Sequence, residues 1–66
     1  MADLSDIRGM SGADLEGEIR DTRKKIFDLR MKLQTDAGAL REYRAAKKHL
    51  ARLLTVRSEQ QKAEQA

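Results

Sequence analysis

The chain has 66 residues, neither cysteine nor proline, a single histidine, and a formal net charge of +3. That length allows one structural unit, below the size at which a single core comfortably stabilises a chain, and without cysteine neither disulfides nor thiolate metal sites can reinforce it. With His49 as the lone imidazole, no nucleophile–base pair and no phosphate loop, the reading is a protein with no catalytic site, no metal and no cofactor.

Ala, Leu, Lys, Arg, Glu and Gln dominate, all good helix formers, and β-branched residues are sparse, so the fold expected is all-α. The N-terminal run Met-Ala-Asp-Leu-Ser-Asp is acidic and does not read as a secretory signal. Leu4 and Ile7, three apart and followed by Gly9, predict a turn or short helix within residues 1–10. Ser11 stands three residues before Asp14, a variant of the capping box, and Glu16 and Glu18 near the helix start complement its dipole. A helix from there to about Thr35 is predicted, with Gly17 weakening its first turns. Its apolar repeat is Leu15, Ile19, Thr22, Ile26, Leu29 and Leu33, a stripe of ~80° that suits a coiled-coil-like seam.

Asp36-Ala37-Gly38 supplies a stop and a short link near residues 36–39. A second helix, about Ala39 to Gln60, answers with Tyr43, Ala46, Leu50, Leu53 and Leu54, and residues 61–66 read as a disordered tail. Short links favour antiparallel neighbours, so residues 11–60 are expected to form a two-helix hairpin with the N-terminal turn packed near its open end. No stretch approaches the ~18 apolar residues of a membrane span. The setting expected is soluble and intracellular.

Charge is unevenly spread. Residues 23–57 hold eleven Lys/Arg against Asp28, Asp36 and Glu42, a net +8, while residues 1–22 are at −4. On the second helix Arg41, Arg44, Lys48 and Arg52 fall ~120–200° from Leu50, a ladder opposite the apolar seam with Lys47 on its shoulder. The ladder reads either as a solvated face or as a row of phosphate ligands; with only Glu42 to neutralise it along residues 39–57, the two readings stand level. On the first helix Phe27 and Met31 lie outside the seam, on a flank shared with Arg20, Arg23 and Arg30. They would rest on RNA or on a neighbouring protein, or Phe27 would widen the core against Leu40 or the N-terminal turn. Arg30, ~40° from the seam, is expected to bury its stem and extend its head. His49 is read as solvated, and the acids of residues 1–22 as cap and surface groups.

The run Phe27-Asp28-Leu29-Arg30-Met31-Lys32, a Gly-containing link, and then Lys47-Lys48-His49-Leu50-Ala51-Arg52-Leu53-Leu54-Thr55 resemble the large-subunit ribosomal protein L-twenty-nine family. Ile7-Arg8, Ser11 and Asp14-Leu15 resemble that family's N-terminal pattern, so the likeness spans about Ile7 to Val56. His49 stands where the family usually has an acidic or amide residue, and the link lacks the usual Gly-Gln-Leu. The resemblance implies a small helical hairpin that binds large-subunit ribosomal RNA near the exit of the nascent-peptide tunnel, in a cytoplasmic or organellar ribosome. It implies ribosomal protein L-twenty-three as a neighbour, with trigger factor and signal recognition particle docking nearby. Arg30, Lys47, Lys48 and Arg52 match basic positions of the family motifs; with Arg41 and Arg44 from the ladder they are the candidate RNA ligands, and Phe27 and Met31 the candidate protein contacts. The rival reading is a coiled-coil adaptor or homodimer built on the seam. A basic amphipathic helix on an anionic membrane fits less well, since Tyr43 is the only bulky aromatic on the second helix's apolar face.

Overall fold

The computed structural model describes residues 4–65. Three α-helices follow in order: α1 (Leu4–Arg8), α2 (Gly12–Lys32) and α3 (Leu40–Gln65), with a 3-10 turn, Ala37–Ala39, leading directly into α3. The sequence-predicted all-α hairpin is what forms, and α2 and α3 run antiparallel inside an envelope of 47 × 18 × 15 Å. Residues 1–3 of the predicted N-terminal piece lie outside the described residues.

Each helix end has a local cause. The Gly9 amide turns back to the Ser5 and Asp6 carbonyls and closes α1. Ser11 is extended (φ −67°, ψ 161°), and its Oγ accepts from the Asp14 amide at 3.2 Å, an N-cap worth ~1 kcal/mol. Helix α2 ends at Lys32, short of the expected Thr35, where the amides of Gln34 and Thr35 turn to carbonyls only three residues back, those of Met31 and Lys32, at 3.2 and 3.1 Å. Asp36 is then extended, and its Oδ1 accepts from the Gly38 amide at 2.9 Å. The stop is therefore the Asp36 cap; Gly38 adopts no left-handed conformation. Helix α3 passes Gln60 to reach Gln65, so residues 61–65, expected as tail, are helical. Gln60 Nε2 donates to the Met10 carbonyl at 3.2 Å, and Arg8 pairs with Glu59 at 3.2 Å, which ties this part of α3 to the N-terminal segment.

The core has two clusters along the seam. At the open end Ile7, Leu15, Ile19, Leu53 and Val56 are buried, with Leu4, Met10, Leu50 and Leu54 packed around them. Near the link Leu29, Ala39 and Ala46 are buried against Ile26, Leu33 and Tyr43. Thr22 is buried on the seam as well. The α2 repeat is thus the observed core face. Ile7 and Val56, both essentially inaccessible, show that α1 covers the hairpin as a third layer at one end. Burying a side chain of this kind contributes roughly 1.5–3 kcal/mol, so α1 is held chiefly through Ile7.

Candidate nucleic-acid interface

Antiparallel pairing gives the hairpin two distinct flanks. One helical step is about 100°, so on both helices the residues just after core positions swing to one side and those just before to the other. After the α2 seam come Glu16, Arg20, Arg23, Phe27, Arg30 and Gln34; before it come Asp14, Glu18, Asp21, Lys25, Asp28 and Lys32. The grooves between the helices confirm the sorting. Arg20 and Arg23 line one with Arg57 and Glu16, while Glu18, Asp21 and Lys25 line the other with Glu42 and His49.

Acids of α2 engage side chains of α3 in both grooves. His49 Nε2 lies 3.4 Å from Glu18 Oε1, with the imidazole side chain only 14% exposed. Its Nδ1 is buried without a hydrogen-bond partner among the described residues. The expected solvated histidine is therefore a half-buried one, because α2 brings Glu18 over it. Arg57 Nε sits 2.6 Å from Glu16 Oε1, an ion pair without hydrogen-bond alignment. Glu16 and Glu18, read as helix-start acids, thus also bridge to α3. Arg8–Glu59 is exposed on both sides and worth at most ~1 kcal/mol.

The remaining cations are presented outward. Arg41, Arg44, Lys47 and Lys48 are exposed on α3, and Arg52 is half-buried and engaged within the chain. Thr55, placed among the ladder, turns its hydroxyl back to the Ala51 carbonyl at 2.9 Å. Lys47 Nζ stands 5.3 Å from the centre of the Tyr43 ring, a cation–π contact that steers it along the surface. Arg20, Arg23 and Arg30 are exposed on α2. Among the described residues none of Arg20, Arg23, Arg30, Arg41, Arg44 and Lys48 is drawn into a salt bridge.

Phe27 is 63% exposed, Met31 51% and Leu40 40%. The reading in which Phe27 widens the core is overturned: Ile26 and Leu29 fill the seam, and the next helical step carries Phe27 past its edge. Leu40 and Lys47 follow the core residues Ala39 and Ala46, so they lie on the same flank as Phe27 and Arg30. Leu40 is the surface residue that sequence reasoning had assigned no outward role. Its signal was its place after Ala39, readable once Ala39 is known to be core.

Fold and surface together define a class: a small, all-helical protein with an exposed basic flank. The model of the family described as "Ribosomal L29 protein" matches residues 5–60, and the chain belongs to that family. A protein named "Large ribosomal subunit protein uL29" from Dehalococcoides mccartyi (strain CBDB1) is 39% identical over 59 residues, covering 88% of this chain and 91% of the relative. Its counterpart of the same name from Aeropyrum pernix is 42% identical, covering 92% and 87%. The one from Prochlorococcus marinus (strain NATL1A) is 34% identical, covering 88% and 84%. No solved structure gives a significant match.

Proposed function

We propose that the chain binds large-subunit ribosomal RNA through phosphate contacts from Arg30, Arg41, Arg44, Lys47, Lys48 and Arg52, with the hairpin seam holding them in register. Family membership makes the chain a structural constituent of the large ribosomal subunit, in the cytoplasm, and not an enzyme. The observation that supports the RNA reading is the division of labour among charges. Arg57 and the His49 imidazole meet acids across the hairpin, whereas Arg30, Arg41, Arg44 and Lys48 project outward with no acid taken up as partner among the described residues. Outward cations at helical spacing of 3 and 4 sit ~5–6 Å apart, close to the step between successive phosphates.

The seam on which a coiled-coil partner would pack is filled by α1, α2 and α3 of the same chain. Among the described residues no helix is long and apolar enough to cross a membrane. A seat near the nascent-peptide tunnel exit, beside ribosomal protein L-twenty-three and within reach of trigger factor and signal recognition particle, rests on the motif resemblance. Met31, exposed on α2, is the apolar group offered to such a neighbour.

Fractionation tests the RNA reading. The chain is expected to co-sediment with large subunits and to bind protein-free large-subunit RNA with log K falling by about 0.7–0.9 per log salt for each phosphate contacted. Free migration at low salt, or binding indifferent to salt, overturns it. Crosslinking from residue 31 on assembled subunits checks the neighbour: L-twenty-three is the expected product, and its absence removes the tunnel-exit placement.

A further inference from the structure

Resting on that RNA reading, we propose that Phe27 is a stacking platform for one unpaired base of the ribosomal RNA, with Arg23 and Arg30 holding the phosphates on either side. Phe27 is the most exposed large apolar residue described in the chain, at 63%. It stands one helical turn from Arg23 and from Arg30, at rises of ~6 and ~4.5 Å along the axis, and both arginines are exposed on the same flank. Met31 and Leu40, also exposed, widen the apolar surface at the link end, and Lys47 on α3 flanks it over the Tyr43 ring. The acids Glu18, Asp21 and Glu42 line the opposite groove, and Glu16, which lines the groove on this side, is held by Arg57.

Two magnitudes favour a nucleobase over a docked protein. The exposed apolar area of Phe27, Met31 and Leu40 is on the order of 300 Å², while a stable protein interface buries ~800 Å² per partner. A base needs only one ring face. The flank's chemistry agrees, because Arg20, Arg23, Arg30 and Lys47 lie on the ring's side of the hairpin and a sugar–phosphate strand supplies both the flat apolar group and the anions. The ring is on the basic flank of α2 rather than on the α3 ladder, so the RNA would reach around the link end to contact both.

The chain contains no tryptophan, so F27W places a single indole at the proposed stack. Binding of protein-free large-subunit RNA is measured for wild type, F27W and F27L, with helicity followed by circular dichroism. F27W is expected to bind within about twofold of wild type and to lose most of its fluorescence on binding. F27L, which keeps apolar bulk but not the ring face, is expected to bind roughly five- to a hundredfold more weakly at an unchanged salt slope. If wild type binds RNA with its salt slope intact but F27L binds equally and the indole stays bright, the stacking proposal is overturned and the phosphate reading survives. If wild type shows no salt-dependent binding, both fall. If F27L binds RNA normally but is lost from intact large subunits, Phe27 is a protein contact and the stack is overturned.

Discussion

A cation's role in this chain is decided by what lies across the hairpin from it. Arg44 and Arg57 both sit on α3, yet Arg57 meets the Glu16 carboxylate while Arg44 is exposed with no salt bridge among the described residues. Sequence counting put both in one basic block, since nothing along the chain says that Glu16, some forty positions away, returns to Arg57. The two should therefore respond differently to truncation. Arg44→Ala is expected to flatten the salt dependence of RNA binding by about 0.7–0.9 in log–log slope, weakening all sequences alike. Arg57→Ala should leave that slope unchanged, because its charge is already neutralised in the free protein. Titrations of both variants against large-subunit RNA across a salt series check this, and equal slopes would remove Arg44 from the interface. His49 makes the same point: one histidine on a charged helix reads as solvated, and only the register of α2 puts Glu18 3.4 Å away.

At the scale of elements the chain was largely legible, because helices here are set by near-neighbour chemistry. Ser11 caps α2 as the Ser–Asp spacing predicts, and the α2 repeat is the buried face. The stop at Asp36-Ala37-Gly38 was legible too, but not its means: the Asp36 carboxylate caps the Ala37–Ala39 turn, and Gly38 adopts no left-handed conformation. A Cβ at Gly38 would stand 3.0 Å from Asp36 Oδ1, so glycine is favoured there by that carboxylate rather than by a left-handed backbone. Gly17 has no such reason: a Cβ there meets nothing within 4 Å. Gly17→Ala is accordingly expected to stabilise α2 and the hairpin by about 0.5–1 kcal/mol, through the entropy glycine loses in a helix. Urea unfolding followed by circular dichroism measures it, with a rise in midpoint at unchanged m-value.

The whole molecule is a hairpin closed at one end by its link and at the other by α1. Leu53 is fully buried where α1, α2 and α3 meet, so Leu53→Ala removes packing shared by three elements. A loss of about 2–5 kcal/mol is expected. In a chain this small that is a large share of the total stability, so thermal melting should show the transition broadened or gone. RNA works in the opposite direction. A ligand that binds only the folded hairpin at a hundred times its Kd adds ~2.7 kcal/mol, so the melting temperature is expected to climb with added large-subunit RNA and to fall back in high salt.

By itself the sequence determined the helices, their caps, the seam of α2 and the presence of a basic block, because each depends on residues within a turn or two of one another. Its motif order also pointed to the ribosomal L29 family, to which the chain belongs. Only the tertiary structure decided how that block is divided. Antiparallel packing sorts the charges into an acidic groove and a basic flank, takes Arg57 and His49 out of the free surface, buries Ile7 and Val56, and leaves Phe27 exposed beside Arg23 and Arg30. The physical reason is range. Periodicity says which way a side chain leaves its own helix, whereas neutralisation and burial depend on what the facing helix brings to the same height.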